Sequence, residues 1–270
     1  MFYTDDFMYE VMGIERLPER LYHYTSVDTL GLILANQTLR FARLDGVNDP
    51  EEAMAEDLPL ASTLVFTSSW TAQAKESLPM WSMYTGLAGV RIALPINPFR
   101  GRRAPTVYEK GGAMQTFDGR VSLTREGDSW HSSSSMVFGP NKIYYTDELP
   151  YRNGSCLLAD RGTWSVQLHD LGMVKNTHWS YEEEWRFKVI AAPFEVQLKE
   201  PDPLSHPFYD LKQYPVREKW VDLPLDPSCL AEIEVVLGPK ISEEQAWRVE
   251  AMLAAHAPGG RILRSTIKIR

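Results

Sequence analysis

A histidine lies between two tyrosines in the stretch LYHYTS, residues 21–26. A histidine in an aromatic strand is usually a hydrogen-bonded core residue, and this is the default interpretation of His23. The alternative is that His23 holds a ligand, with Tyr24 and Thr25 beside it. Partners for His23 elsewhere in the chain would favour the second interpretation.

Carboxylates and cations cluster in a second stretch, WSYEEEWRFKVIAAP, residues 179–193. As a strand with a repeat of two, this segment turns Trp179, Tyr181, Glu183, Trp185 and Phe187 to one side and Glu182, Glu184, Arg186 and Lys188 to the other. Two carboxylates on one face crowd each other, so we expect one of their pKa values to be raised. If the segment is helical instead, Glu182 and Arg186 form an ion pair one helical turn apart.

Two further groups could complete a site. The loop from Arg40 to Glu51 contains Asn-Asp-Pro turn residues, and Trp81 and Tyr84 are spaced to share one face of a short helix. Taken singly, the loop fits a solvated turn, the two rings fit a core, and the EEEWR run fits an exposed edge. Taken together with His23, they predict a ligand-binding cleft.

Several well-known sites are absent from the sequence. There is no G-x-x-x-x-G-K-[ST] phosphate loop, no G-x-G-x-x-G and no G-x-S-x-G nucleophile elbow. The six histidines are scattered without an H-x-x-x-H pair, and Cys156 and Cys229 lack C-x-x-C spacing. We therefore expect neither a metal site nor a disulfide framework.

Composition narrows the environment in which the chain acts. A net charge of -8 argues against binding nucleic acid or an anionic membrane by charge alone. No apolar run reaches the roughly 18 residues of a membrane span. The acidic N-terminal segment, interrupted by Pro18, is unlike a signal peptide. These features predict a cytoplasmic protein with no membrane partner.

Secondary-structure signals place His23 on a strand near the start of an α+β domain. LYHYT predicts this strand, and Ser26 predicts the N-cap of a helix with Leu30, Ile33 and Leu34 on its buried face. The helix is expected to end at Asn36, and TLRFA to return as a strand.

The middle of the chain alternates strand signals with loop compositions. STLVFTSSW, residues 62–70, and GVRIALP predict strands on either side of the short helix with Trp81 and Tyr84. KIYYTDEL predicts another strand, and VQLHDLGMVKN a helix. Residues 98–140, which include a basic cluster at Arg100, Arg102 and Arg103, predict a long irregular insertion within a single domain of residues 1–270.

The C-terminal region predicts a strand, a helix and a strand. EIEVVLG is the first strand, Ser242 and Gln245 have capping-box spacing at the helix start, and RILRSTIKI closes the chain. A crossover of this length is compatible with parallel pairing. Trp247, Met252 and Leu253 are expected on the apolar side of the helix.

The order of these motifs resembles a bacterial family described only as a domain of unknown function. Its members share a histidine strand, an Asn-Asp-Pro loop, a Trp-Ser-x-Tyr segment and a Trp-x-Tyr-Glu-x-Glu-Trp-Arg segment. In this sequence they are LYHYTS, TLRFARLDGVNDPEE, MWSMYTGLAGVRIALP and THWSYEEEWRF. The resemblance covers residues 21–270 apart from the 98–140 stretch.

More distantly, the order His, Tyr, Glu is similar to that of ADP-ribosyltransferases, nearest to DNA-modifying bacterial toxins and poly-ADP-ribose polymerases. This resemblance implies compact twisted sheets flanked by short helices, with NAD as substrate in a cleft. It implies that His23 bonds a ribose hydroxyl and that Tyr84, or its competitor Tyr24, stacks on nicotinamide. Glu184 would be catalytic, holding the nicotinamide ribose while positive charge develops at its anomeric carbon.

The resemblance also implies which residues surround NAD. Arg40 or Arg43, with Asn48 and Asp49, would lie near the phosphates or a ribose, and Arg186 would bind the pyrophosphate or neutralise Glu182. The full predicted NAD-binding set is His23, Tyr24, Thr25, Arg40, Arg43, Asn48, Asp49, Trp81, Tyr84, Glu182 and Arg186, without a metal.

The leading functional prediction is therefore an NAD-dependent ADP-ribosyltransferase or NAD glycohydrolase, acting in bacterial conflict (as a toxin or in phage defence) or in stress. The acceptor of ADP-ribose would be a protein or a nucleic acid. The alternative is a non-catalytic module that binds a nucleotide or a partner in the same cleft. A third hypothesis, nucleic-acid processing without NAD, needs the 100–103 cluster to form a basic groove, which the acidity of the chain disfavours.

Overall fold

The computed structural model describes most of the chain. Of the predicted 98–140 insertion, it describes residues 98–100, four two-residue strands and residues 137–140, and the other residues lie outside the described ranges. The described ranges are 5–100, 137–148, 155–160, 163–190 and 218–270, with the two-residue strands at 102–103, 116–117, 125–126 and 129–130.

Short helices and many strands make up these ranges. The α-helices are α1 (Asp5–Glu10), α2 (Val27–Asn36), α3 (Leu78–Thr85), α4 (Pro227–Ala231) and α5 (Glu243–His256). Short 3-10 helices span Leu44–Gly46, Pro50–Ala53, Ala61–Leu64 and Thr177–Glu182. None of the helices within the described ranges combines the length and the apolar character that a membrane crossing requires.

The strands are numbered in chain order. They are β1 (Arg20–Thr25), β2 (Thr38–Arg43), β3 (Val65–Thr71), β4 (Val90–Pro95), β5 (Arg102–Arg103), β6 (Thr116–Phe117), β7 (Arg125–Glu126), β8 (Ser129–Trp130), β9 (Val137–Lys142), β10 (Tyr144–Tyr145), β11 (Leu157–Asp160), β12 (Thr163–Val166), β13 (Val174–Lys175), β14 (Glu184–Ile190), β15 (Trp220–Pro224), β16 (Glu234–Leu237) and β17 (Arg261–Arg264).

Nine of these strands form one mostly antiparallel sheet, which confirms the α+β prediction at that level. The main order is β15-β2-β3-β1-β4-β16-β17, and β14 joins β3 to β9. Leu21, Phe41, Phe66 and Ile92 from four of the strands lie in the apolar core, each at most 1% exposed.

The sheet divides at β3. One edge of β3 pairs with β14 along its whole length, from Glu184 opposite Thr71 to Ile190 opposite Val65. The other edge is shared, because β2 pairs with it only at Phe66 and Thr67 and β1 only at Thr71. Among the described residues, the middle of that edge therefore has no neighbouring strand, and this gap positions the candidate site.

The predicted opening of the domain is confirmed. Ser26 caps α2, its side chain accepting a hydrogen bond from the Thr29 backbone N–H, and Leu30, Ile33 and Leu34 are buried. The helix ends at Asn36 as predicted, but the left-handed residue is the next one, Gln37, with a φ of 52°. This conformation is uncommon for residues other than glycine, but Gln37 has no β-branch to crowd the backbone.

The C-terminal strand, helix and strand also form, and β16 and β17 pair in parallel, the arrangement with which the connection length is compatible. Trp247 was wrongly predicted to face the core, since it is 67% exposed, whereas Leu253 is buried. The last strand ends at Arg264, before the end of the predicted RILRSTIKI segment.

The capping box at α5 supports a stability prediction. The Ser242 hydroxyl accepts from the Gln245 backbone N–H and the Gln245 side chain accepts from the Ser242 N–H, both at 3.2 Å. We expect Ser242→Ala to lower the free energy of unfolding by about 1 kcal/mol in urea titration, since a helix N–H loses its acceptor. Ser82→Ala, on the exposed face of α3, is the control, and an equal loss in both variants would refute a capping role.

Three other predictions need correction. Residues 62–64 lie in a 3-10 helix before β3, and VQLHDLGMVKN contains turns and the strand β13 where a helix was predicted. Residues 179–182 belong to the last 3-10 helix, so the strand with alternating charges starts only at Glu184. Glu183 separates the two elements in a left-handed conformation, which breaks the predicted alternation.

Candidate functional site

A cavity of about 160 Å³ opens where the sheet divides. A cavity of about 150 Å³ is large enough for one benzene ring, whereas pockets for whole drug-sized ligands run to several hundred Å³. The cavity therefore accommodates one ring-sized group of a larger ligand. Seven predicted site residues line it: His23, Tyr24, Asn48, Tyr84, Glu182, Glu184 and Arg186.

His23 lies in the gap along the edge of β3. Its Nδ1 is 2.8 Å from the Ser69 backbone carbonyl, which only accepts, so Nδ1 carries the proton. The imidazole thus bonds a carbonyl that none of the described strands pairs with on this edge, and its ring packs on Trp70 with 5.1 Å between centroids. Burial lowers the pKa of His23, which keeps the imidazole neutral and leaves Nε2 as a hydrogen-bond acceptor.

Buried charges form the opposite wall. Arg186 donates to Glu184 Oε1 through Nε at 2.8 Å and Nη2 at 2.6 Å, and through Nη1 to Glu52 Oε2 at 2.7 Å. The Gly172 carbonyl also accepts from Nη1, at 2.6 Å. All three charged side chains are at most 4% exposed, so each ion depends on its partners rather than on water.

Lys175 joins the two glutamates of the EEEWR run. Its Nζ lies 2.7 Å from Glu182 Oε2, 3.1 Å from Glu184 Oε2 and 4.0 Å from Glu52 Oε1. Burial alone would lower the pKa of Lys175, but Glu184 and Glu52 raise it above its usual value. Lys175 is therefore a fixed cation that holds the carboxylates together.

The two glutamates differ in their ionisation. Burial acts to raise the pKa of Glu184, but Arg186 and Lys175 outweigh it and hold that pKa at about 2. Burial raises the pKa of Glu182 above its ordinary range, against the opposing pull of Lys175. The expectation that one of the two carboxylates has a raised pKa is confirmed in direction, although burial contributes more than crowding by Glu184. Paired carboxylates with separated pKa values can divide acid and base roles.

Tyr84 completes this wall from α3. Its hydroxyl donates a short hydrogen bond to Glu182 Oε1, and the Asn48 side chain bonds the same hydroxyl. Burial and the Glu182 charge raise the pKa of Tyr84, so the phenol stays protonated. Tyr84 therefore orients Glu182 as well as lining the cavity.

Local backbone geometry explains why Glu182 and Glu184 meet. Glu182 ends the 3-10 helix and Glu184 begins β14, with the left-handed Glu183 between them. The two side chains converge on Lys175 through this turn rather than by sharing a strand face. Gly172, whose φ is 71°, similarly turns its carbonyl to Arg186.

Arg40 and Arg43 lie outside the cavity wall, contrary to prediction. Arg40 forms an exposed pair with Asp222 at 2.9 Å and stacks over the Trp220 ring. Arg43 bonds Asp45 at 2.6 Å. Both belong to β2, which leaves β3 before the gap is reached, and each has a carboxylate partner of its own.

Three other predicted residues lie next to residues of the cavity wall without lining the cavity themselves. Asp49 caps the Pro50–Ala53 helix by accepting from the Glu51 N–H, and Thr25 is buried at the end of β1. Trp81 is fully buried, with its ring edge-on to Tyr24 at 4.9 Å. None of the three is among the residues of the cavity wall that the structure describes.

The cavity also contains residues that sequence analysis missed. Lys175 was assigned to a helix, and Glu52 was seen only as part of a solvated NDPEE turn. The 3-10 helix after Asp49 could have been anticipated from the Asp-Pro capping signal, but no sequence signal predicts that Glu52 is its buried residue or pairs with Arg186. The other missed wall residues are Tyr22, Val47, Ser69, Trp70 and Met80.

Comparisons with known proteins add no family to this geometry. No protein-family model, no curated protein and no solved structure matches the chain. Within the ranges that the structure describes, no group of three His, Cys, Asp or Glu side chains is arranged to hold a metal ion.

Proposed function

We propose that this chain is an NAD-dependent ADP-ribosyltransferase or NAD glycohydrolase with its nicotinamide end bound in the cavity. The observation that carries the proposal is the meeting of His23, Tyr84, Glu182 and Glu184 around one ring-sized space. They come from β1, α3 and the region where β14 begins. The order and residue types are those that the resemblance to ADP-ribosyltransferases implies.

The reaction requires breaking the bond between nicotinamide and ribose. The bonding electron pair leaves with nicotinamide, which departs neutral, and positive charge develops at the anomeric carbon. Water or an acceptor group then bonds to that carbon and loses a proton. The side chains must therefore stabilise a cation and accept a proton.

The two glutamates suit these two tasks. Glu184, with its pKa at about 2, remains ionised and contributes a fixed negative charge beside the reacting centre. Glu182, with a raised pKa, is the better proton acceptor, because efficient general bases titrate close to the working pH. His23 Nε2 is free to accept from a ribose hydroxyl.

One observation favours the alternative, a non-catalytic binding module. Both oxygens of Glu184 face cations, Arg186 at one and Lys175 at the other. A compensated carboxylate stabilises a developing cation less than a free one does. In this alternative the same cavity binds a nucleotide or partner, and the ion pairs serve stability alone.

The decisive experiment follows NAD labelled on the adenylate. Purified protein is incubated with it, and nicotinamide release is measured together with label transfer to protein, DNA and RNA. Glu184→Gln and His23→Ala are compared with wild type, and Glu250→Gln, an exposed position on α5, controls for loss of one negative charge. Circular dichroism verifies that every variant is folded.

We expect turnover by wild type and Glu250→Gln, with strong loss in the other two. NAD binding without nicotinamide release would favour the module. No binding by a folded wild-type protein would refute the cavity assignment. Turnover that survives Glu184→Gln would keep the enzyme class and remove Glu184 from its catalytic role.

A further inference from the structure

We propose that the group filling the cavity is a planar ring that carries hydrogen-bond donors and no negative charge, and that Glu52 accepts a hydrogen bond from it. Glu52 lies outside the predicted NAD-binding set. The inference rests on the proposed function for the identity of the ring, which in NAD is nicotinamide with its carboxamide N–H₂. An amino-substituted ring such as adenine shares this chemistry.

Five side chains around the cavity have donors that are committed to protein acceptors. The Trp70 indole N–H bonds the Ser68 hydroxyl at 3.0 Å, and the Tyr84 hydroxyl bonds Glu182. Ser69 bonds Glu184 through its side chain. Lys175 and Arg186 direct their N–H groups at the three buried carboxylates and at a backbone carbonyl.

Two acceptors around the same space lack a partner among the described residues. Glu52 Oε1 is buried with no hydrogen-bond partner, and the whole residue is only 2% exposed. His23 Nε2 is the second of these atoms. It carries no proton and can only accept, because the ring proton is on Nδ1 and bonds the Ser69 carbonyl. A buried carboxylate oxygen without a donor is costly, so a ligand N–H placed there would gain more than an ordinary hydrogen bond. Burial raises the pKa of Glu52, and the charges of Arg186 and Lys175 oppose that rise. With Glu52 ionised, both of these unfilled atoms accept hydrogen bonds.

Charge points to the same ligand class. Glu52, Glu182 and Glu184 supply three carboxylates against the two cations Lys175 and Arg186, a formal balance of minus one when all are ionised. A carboxylate on the ligand would add a like charge beside these buried side chains, where repulsion is strong. A neutral or cationic ring avoids this repulsion.

The test uses nicotinamide and nicotinic acid, which differ only in the amide and the carboxylate. Isothermal titration calorimetry or ligand-observed NMR gives the affinity of wild-type protein for each, and adenosine reports on an amino-substituted ring. We expect nicotinamide to bind roughly tenfold or more tightly than nicotinic acid, as one hydrogen bond to a charged group implies.

Glu52→Gln converts the vacant acceptor into a donor without changing its shape. Its carbonyl can still accept from Arg186, which places the amide N–H₂ where Oε1 was. We expect nicotinamide to lose affinity and nicotinic acid to gain it, while Glu250→Gln leaves the ratio unchanged. The wild-type ratio is informative even if Glu52→Gln does not fold.

The outcomes separate this inference from the proposed function. Wild-type preference for nicotinic acid, or a ratio that Glu52→Gln does not alter, would overturn the role of Glu52 even if NAD is turned over. A nicotinamide preference that depends on Glu52, in a protein that never cleaves NAD, would sustain the inference and refute the enzyme. Tight adenosine binding that depends on Glu52 would support the donor-ring chemistry and assign the adenine end of NAD to the cavity.

Discussion

Replacing Arg186 with methionine is expected to lower the free energy of unfolding by about 3–5 kcal/mol. The guanidinium is 1% exposed and bonds Glu184, Glu52 and the Gly172 carbonyl. Without it, two buried carboxylates and a buried carbonyl lose their donors in a region that water does not reach. Methionine fills much of the same volume, so the loss measures the uncompensated charge rather than an empty cavity.

Arg40→Met is the matched control, since Arg40 also pairs with a carboxylate. Its pair with Asp222 is 51% and 36% exposed, so water replaces the lost contact and we expect a change within about 1 kcal/mol. Urea titration of both variants gives the comparison. Arg186→Lys, which keeps the charge but not the planar fork, should fall between Met and wild type. Equal losses at positions 40 and 186 would show that burial of the charge cluster contributes little.

The free-energy cost of burying this charge cluster points to a functional role for it. An apolar set of similar size is often as stable as a buried ion cluster, so stability alone is a weak reason for burying five charges. The cluster instead keeps two carboxylates with opposed pKa shifts beside an accessible ring-sized space. Perturbed titratable groups in a cavity are typical of binding and catalytic sites.

The parts of this arrangement that sequence predicts are local. The His23 strand, the Ser26 cap and the helix α3 with Tyr84 follow from alternation, capping and turn chemistry within short windows. The same holds for Ser242 and its capping box. These signals place His23 and Tyr84 on the right elements but do not determine how the elements meet.

The missed features depend on contacts between distant segments. Lys175 lies in a two-residue strand, which is too short for a periodic pattern. Glu52 is buried against Arg186, which is 134 positions away in the sequence, so its local sequence does not reveal the pairing. The prediction for Arg40 was wrong for the same reason. Its partner Asp222 lies on the neighbouring strand β15, and the pair is exposed on the outer surface. A charged residue's sequence neighbours do not reveal whether its charge is already compensated.

Glu182→Gln is expected to reduce nicotinamide release from NAD by about 10²–10⁴-fold, the usual contribution of a positioned general base. Glu182 accepts a proton only when deprotonated, so wild-type activity should rise as the pH increases through the pKa of Glu182. Because burial raises that pKa, the rise should occur above the ordinary glutamate value of about 4.3. The residual activity of Glu182→Gln should lack this acidic limb, since glutamine does not titrate.

Glu183→Gln provides the matched control one residue along the chain. Glu183 is exposed and lies outside the cavity wall, so its replacement removes the same charge without touching the site. The pH dependence of kcat/KM should therefore be the same in Glu183→Gln as in wild type. An acidic limb that persists in Glu182→Gln would assign the proton acceptor to another group. Equal losses in the two variants would attribute the effect to long-range charge, because only Glu182 is bonded by Tyr84 and Lys175.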